Sequence, residues 1–309
     1  MHNYWVVEVK TKRSIGERRA LRNGLLFASP WLIGLTVFGL YPILSSLYYS
    51  LCQYDGIRSP HWVGLRNYHK MFFEDELFFK ALYNTLYMVC LGVPLSILCG
   101  LSVALLLNQK VKGIALYRTI YYLPSVVPVV ASSILWLWLL NPDIGLVNIG
   151  LQHLGVKNPP AWLGDPVWSK PALLLMGLWG VGGGMVIYLA ALQNVSETLY
   201  EAAALDGAGS TLRFRHVTLP MITPVILFNL ITSLIGTFQY FTEAYVMTSG
   251  GPQDSTTFYA LRLFNAAFQD FHLGYASAMA WVLFVLTLAC ALIVFKSSLR
   301  WVYYEGELK

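Results

Sequence analysis

Six stretches of this chain, at about 24–51, 82–107, 120–140, 172–192, 221–246 and 275–295, run almost without charge through apolar residues. Each is roughly 20 residues or longer, the length of helix that crosses a hydrocarbon core of about 30 Å. None alternates apolar with polar, so a membrane barrel built from short alternating strands is not predicted. The pattern predicts an all-α integral membrane protein with six transmembrane helices. The first run is too long for the apolar part of a signal peptide and lacks a small-residue cleavage site, which predicts that it is retained. No repeat of 20–50 residues is visible, which excludes a solenoid.

Composition narrows the class further. At 56% hydrophobic and 12% charged residues, the chain has too much apolar surface for a single soluble globule to bury. A net charge of +5 raises the question of a nucleic-acid partner. The basic residues, however, stand in short clusters beside the apolar runs, with no RNA-binding or zinc-finger signature. Counted by side of the six runs, fourteen Lys and Arg fall with the termini and the second and fourth loops, and seven with the other three loops. That bias predicts both termini in the cytoplasm. Residues 1–23 then form a cytoplasmic segment and 24–309 a single transmembrane domain. The four cysteines, Cys52, Cys90, Cys99 and Cys290, show no metal or redox spacing and read as small buried hydrophobes.

Catalytic signatures are absent from the sequence. No phosphate loop, His-Glu-x-x-His zinc site or Gly-x-Ser-x-Gly elbow occurs, so the chain is not read as an enzyme, and ATP hydrolysis by the phosphate-loop route is excluded. Gly180, Gly182, Gly183 and Gly184 lie inside an apolar run with no preceding strand. They read as close helix packing or as lining of a solute path.

One polar island stands apart. Residues 201–220 read EAAALDGAGSTLRFRHVTLP between two spans. Helix-favouring residues run to Leu205, with Leu199, Ala202, Ala203 and Leu205 on an apolar face, and Gly207 permits a left-handed ending. Ser196 or Asn194 is the candidate N-cap. A second short helix is predicted from Ser210, stopping before Pro220. Glu201, Arg213 and Arg215 are placed at the rim of this elbow as orienting charges.

The spacing Glu-Ala-Ala, three residues, Gly, nine residues, an aliphatic residue, one residue, Leu-Pro resembles the cytoplasmic coupling loop of binding-protein-dependent ABC importer permeases. Val217 stands where Ile is commoner, and Val195-Ser196 where Ile-Pro is commoner. Further segments are similar to the sugar-permease branch: Trp62 to Tyr68 (WVGLRNY), Asn84-Thr85, Tyr122-Leu123-Pro124, Gly145-Leu146-Val147-Asn148, Gly250-Gly251-Pro252, and Gly274 to Ala278. The resemblance implies a type I ABC importer permease fold in the bacterial plasma membrane, with the coupling loop at about 194–220. It implies that Glu201, Ala202, Ala203, Asp206, Gly207, Arg213, Val217, Leu219 and Pro220 meet an ATPase. Partners implied are a second permease subunit, two ATPase subunits that use ATP and Mg, and an extracytoplasmic solute-binding protein. No cofactor is expected on this chain. The family's sugar sites, carried over by distance, fall on Trp179, Gly180, Gly183, Ser233, Gly236, Thr237 and Tyr240. Residues 233, 237 and 240 share one helical face, as a solute-facing stripe requires, though their hydroxyls equally suit bonds within the bundle.

Two other readings stay open on the sequence. Glu243, the one acid inside a predicted span, suggests an ion-coupled secondary transporter, because buried charge in a membrane is costly and tends to be functional. His216 and His272 suggest a membrane enzyme, yet the topology puts them on opposite faces of the bilayer.

Overall fold

The computed structural model describes residues 15–109 and 111–304. Within them four helices are long and apolar enough to cross a membrane: Arg22–Ser50, Glu76–Leu107, Ser210–Phe238 and Leu273–Ser298. Two bent pairs complete six candidate spans: Ile114–Val126 with Val129–Leu139, meeting at 99°, and Ser169–Trp179 with Gly182–Gln193, meeting at 46°. The expected segment at 1–23 lies largely outside the described residues, and helix is already present from Ile15. The one departure from helix among the regular elements described is a two-residue antiparallel ribbon pairing Cys52–Gln53 with His61–Trp62.

The third span is therefore not the straight helix predicted at 120–140. Val127 precedes Pro128 and takes an extended ψ of 129°. A proline ring clashes with helical backbone at the residue before it, so the helix must stop and restart. In the fourth span the break falls at Gly180 and Val181, where glycine lacks helix propensity.

Several other prolines leave their helices unbroken, and at three of them one device recurs. Wide π-helical turns at Leu35–Leu40, Met88–Gly92 and Phe214–Thr218 each end two residues before a proline: Pro42, Pro94 and Pro220. An i→i−5 turn absorbs the missing N–H and relieves the ring's clash with the preceding turn. The helix expected to stop before Pro220 instead runs on, so the polar island and the fifth span form one 29-residue helix, Ser210–Phe238. Pro224 frees the carbonyl of Pro220, and the Thr223 hydroxyl donates to it at 2.6 Å.

That fifth helix ends at Phe238, short of the expected 246. The chain breaks so that Tyr240 can set its ring against Phe258 at 5.1 Å, and Phe241 against Phe264 at 4.9 Å. Glu243 consequently lies in a separate short helix, Thr242–Met247, and not inside a span as expected.

Three buried clusters hold the bundle. One joins Trp136, Leu173, Met176, Met247 and Phe258; a second joins Met71, Phe78, Tyr259, Tyr275 and Met279; a third joins Leu101, Met185, Tyr188, Leu192 and Ile222. No residue of the apolar window in Arg22–Ser50 is buried. That is the expected state of a helix whose solvent is lipid.

The short motifs singled out in the loops act as polar staples across long stretches of chain. Asn67 donates to the carbonyls of Ser50 and Cys52 at 2.8 and 2.9 Å. Buried Asn84 donates to the carbonyls of Asp254 and Thr257 and accepts from Lys170 Nζ at 3.0 Å. Thr85 accepts from the Tyr259 N–H at 2.8 Å, and Asn148 accepts from Trp162 Nε1 at 2.7 Å. Each satisfies backbone or indole groups that burial would otherwise leave unpaired.

Gly274 is a steric counterpart of these staples. A Cβ there would fall 2.1 Å from the Cys52 carbonyl oxygen, backbone that cannot swing aside. Gly274→Ala is expected to cost about 1–3 kcal/mol, the range for overpacking, by parting the ends of the first and sixth spans. Gly236→Ala, with open space around its Cβ, is the neutral control. Thermal stability in detergent checks the pair; equal midpoints would show that the contact is not needed.

Candidate functional site

The elbow begins at Ser196, whose side chain accepts from the Thr198 N–H at 3.3 Å and so caps the helix Glu197–Leu205. It ends with the paired bonds of a Schellman motif: the Ala208 N–H donates to the Ala203 carbonyl at 2.9 Å, and the Gly207 N–H to the Ala204 carbonyl at 3.1 Å. The motif requires a left-handed residue, and Gly207 supplies it at φ +76°. The chain then turns at Gly209 and restarts at Ser210.

Two bonds fasten the elbow's arms. The Tyr200 hydroxyl meets the Thr218 hydroxyl at 2.9 Å. Arg213 Nε donates to the Ala208 carbonyl at 2.8 Å. Arg213 is thus turned in on the elbow's own loop and does not stand at the rim as expected, because the Ala208 carbonyl in the turn between the two helices takes its Nε–H. Glu201, Ala202, Asp206, Gly207 and Arg215 are exposed; Ala203, Arg213, Val217, Leu219 and Pro220 are half-buried. Val217 packs beside the third cluster with Tyr200 and Val195. Leu205, at 90% exposure, and Leu212, at 54%, project their apolar side chains with no cover from the described residues. The Tyr200–Thr218 tie was not foreseen, since nothing local links positions eighteen residues apart.

Deeper in the bundle a cavity of about 170 Å³ opens between the second, fourth and fifth spans, lined by Ser96, Gly180, Gly184, Tyr188, Asn229 and Ser233 among others. Of the solute-path residues chosen from sequence, Gly180 and Ser233 line it. Trp179 stands edge-on to Trp136 at 6.2 Å, and Tyr240 has its hydroxyl buried in the first cluster without a partner. Gly183, Gly236 and Thr237 do not reach the cavity wall. Asn229, Tyr188 and Ser96 were missed; a single polar side chain in an apolar run was the available signal for each. The Tyr188 hydroxyl is buried with no hydrogen-bond partner, and no charged side chain lines the cavity. Of the glycines around the bend, Gly182 is a packing residue: its Cβ would fall 2.3 Å from the Tyr121 carbonyl oxygen.

At the opposite end of the bundle a polar hub ties three elements. Asp75 caps Glu76–Tyr87 by accepting from the Phe78 N–H at 3.2 Å. Its Oδ2 also accepts from Tyr275 at 2.6 Å and from Arg262 at 3.1 Å, and Arg262 reaches Asp270 at 3.1 Å. Burial alone would push the Asp75 carboxyl up, but the Tyr275 hydroxyl and the Arg262 guanidinium outweigh it and hold the group below the usual carboxylate range.

Among the described residues no group of His, Cys, Asp and Glu is placed to hold a metal ion. His216 is exposed on the elbow, and His272 precedes the sixth span at the bundle's other end.

Comparison with known proteins bears on both features. A family model described as "Binding-protein-dependent transport system inner membrane component" matches residues 92–304. The probable ABC transporter permease protein YesP of Bacillus subtilis is 41% identical over 302 residues, 97% of each chain. The lactose transport system permease protein LacF of Rhizobium radiobacter is 38% identical over 294 residues, 93% of this chain and 98% of that one. A solved bacterial ABC transporter involved in the import of the acidic polysaccharide alginate has a chain of the same fold. Its TM-score is 0.79 at 25% identity, covering 92% of this chain and 98% of that chain.

Proposed function

This chain belongs to the family of binding-protein-dependent transport system inner membrane components, as the permease subunit of an ABC importer, and we propose that it carries a sugar through the polar cavity at the bend of its fourth span. The family assignment leaves the ion-coupled and enzymatic readings without support. The observation that carries the sugar reading is the cavity's lining: hydroxyl and amide groups of Ser96, Tyr188, Asn229 and Ser233, with glycine backbone between them and no charge. Such a set exchanges hydrogen bonds with a polyhydroxylated solute and offers no counter-ion to a charged one. A relative named for lactose transport agrees with it.

The cavity is smaller than a disaccharide pocket, which usually spans about 300 Å³ or more. It is one wall of a path completed by a second permease subunit. Two ATPase subunits, using ATP and Mg, seat their surfaces on the elbow, where Leu205 and Leu212 offer uncovered apolar contacts and Glu201 and Asp206 add charge at the edge. The elbow and both termini then lie in the cytoplasm, as the basic-residue bias predicts.

Reconstituted with its ATPase and binding-protein partners, the importer is expected to take up a labelled sugar. Asn229→Leu raises KM about tenfold, the loss of one or two hydrogen bonds at roughly 1 kcal/mol each, with the protein inserted normally. Unchanged KM for every transported sugar would remove the cavity from the path.

A further inference from the structure

The sugar cavity is the open stretch of a longer seam between the second and fourth spans, and four levels of that seam can be followed in order. The first belongs to the helix that Asp75 caps: Lys170 Nζ donates to Asn84 Oδ1 at 3.0 Å and rests over the rings of Tyr83 and Tyr87, 5.3 Å from each centroid. One turn along the fourth span, Leu174 lies on Gly92, so closely that a Cβ there would fall 2.9 Å from Leu174 Cδ2. Ser96 and Ile97 come next, and between them and Gly177 and Gly180 the cavity opens. Beyond it the Tyr188 ring lies on Gly100, where a Cβ would fall 3.4 Å from Cε2. Tyr188 belongs to the cluster that holds Val195 and is flanked by Tyr200 and Val217, so this last level is the elbow's.

Gly92, Ser96 and Gly100 stand four residues apart and share one face of the second span. At 1.5 Å per residue the two glycine contacts are about 12 Å apart, with the cavity between them. The levels differ in chemistry. Lys170, Asn84 and the two tyrosines offer an ammonium, an amide and hydroxyls, which water wets. Leu174 on Gly92 offers only hydrocarbon, and a narrow apolar contact blocks water and polar solutes until it parts. The atom that Gly92 meets is the end of a flexible, half-buried side chain, so a change of rotamer is enough to move it. The Tyr188 hydroxyl, buried at the cavity without a hydrogen-bond partner, is a group that an entering solute can satisfy.

We propose that Leu174, seated on Gly92, is the seal between the cavity and the outer face of the membrane, the side chain that swings aside before a solute enters. Tyr188 on Gly100 closes the cavity toward the elbow. The proposal rests on the reading of the cavity as the solute path and of the elbow as the cytoplasmic end.

The test uses the assembled importer, without nucleotide, in right-side-out and inside-out membrane vesicles. Ser96→Cys places a thiol in the cavity, and its reaction with the membrane-impermeant anion 2-sulfonatoethyl methanethiosulfonate is followed by fragment masses that separate it from Cys90 and Cys99 on the same span. Adding Leu174→Ala is expected to raise the labelling rate at least about tenfold from the outer face and to leave it unchanged from the inner face, because only one closure is released. Gly92→Ala pushes the leucine's methyl aside without removing it and falls between, while Leu174→Met keeps the volume and stays at the parent rate. Equal outer-face rates in Leu174→Ala, Gly92→Ala and the parent overturn the proposal. So does a rise from both faces, which marks a loosened bundle, or a rise from the inner face alone, which puts Leu174 on the wrong side. An unchanged KM in Asn229→Leu beside the expected rise here withdraws the sugar path and leaves the seal standing.

Discussion

Gly207→Val abolishes uptake by the reconstituted importer while leaving the inserted amount of the chain unchanged. Gly207 closes the Schellman turn at φ +76°, and a Cβ added there would meet nothing within 4 Å. The fold therefore does not object to bulk at this position. Two costs follow all the same. A left-handed backbone costs a residue with a Cβ roughly 1–2 kcal/mol, about a tenfold shift in the population of the turn. The methyl groups of valine would also stand on the surface proposed to meet the ATPase. Asparagine tolerates the left-handed region better than other side chains, so Gly207→Asn separates the two costs. The expected order of uptake is glycine, then asparagine, then valine, read together with ATP hydrolysis by the same complex. Wild-type uptake from the valine variant would end the elbow's role in coupling.

The largest loss of stability is expected from Asp75→Ala. Asp75 and Arg262 have side chains only 8% and 18% exposed, so solvent screens little of their attraction. Removing one partner of a buried pair costs about 3–5 kcal/mol. Asp270 continues to face Arg262 at 3.1 Å, which places the expected loss near the lower end, about 3 kcal/mol. Asp75→Asn keeps an acceptor for the Phe78 N–H and loses only the charge, so it should fall between. The pH dependence has a definite sign. Because the carboxyl is held below its unfolded value of about 3.9, its contribution is fully present above that pH and is lost as pH falls through the lower folded value. Denaturation in detergent at pH 7 and pH 5 should show the same advantage of wild type over Asp75→Ala, shrinking only below about pH 4. An advantage that disappears already between 7 and 5 would mean that the pairing with Arg262 and Tyr275 is not what lowers the group.

Much of this molecule was legible locally. Apolar runs marked each of the six candidate spans, with the first and sixth placed to within a few residues and the second starting six residues earlier than expected. The Glu-Ala-Ala island marked the elbow, with its left-handed ending at Gly207 and a cap at Ser196 or Asn194, of which the structure takes Ser196. Local sequence was a poorer guide where proline was concerned. Pro128 breaks a span while Pro42, Pro94 and Pro220 do not. A wide turn precedes each of the latter three and none precedes Pro128, a difference that the prolines themselves do not announce. Of the seven solute-path residues expected from sequence, two line the cavity. Gly180 and Ser233 face the cavity, whereas Tyr240, on the stripe with Ser233, is drawn away because the chain breaks after Phe238 and its ring packs on Phe258.

What the sequence by itself determined is solvent: chains of about 20 apolar residues can satisfy their backbone in lipid only as helices, while the placement of Lys and Arg sets an expected direction. These are local quantities, summed along the chain. Only the tertiary structure decided which groups meet. Asn84 reaches carbonyls 170 and 173 residues away, and Asp75 reaches Tyr275 across 200. Those bonds form because a buried polar group has lost its water and must find partners in the protein, and where those partners stand is a property of the packed helices and of no segment alone.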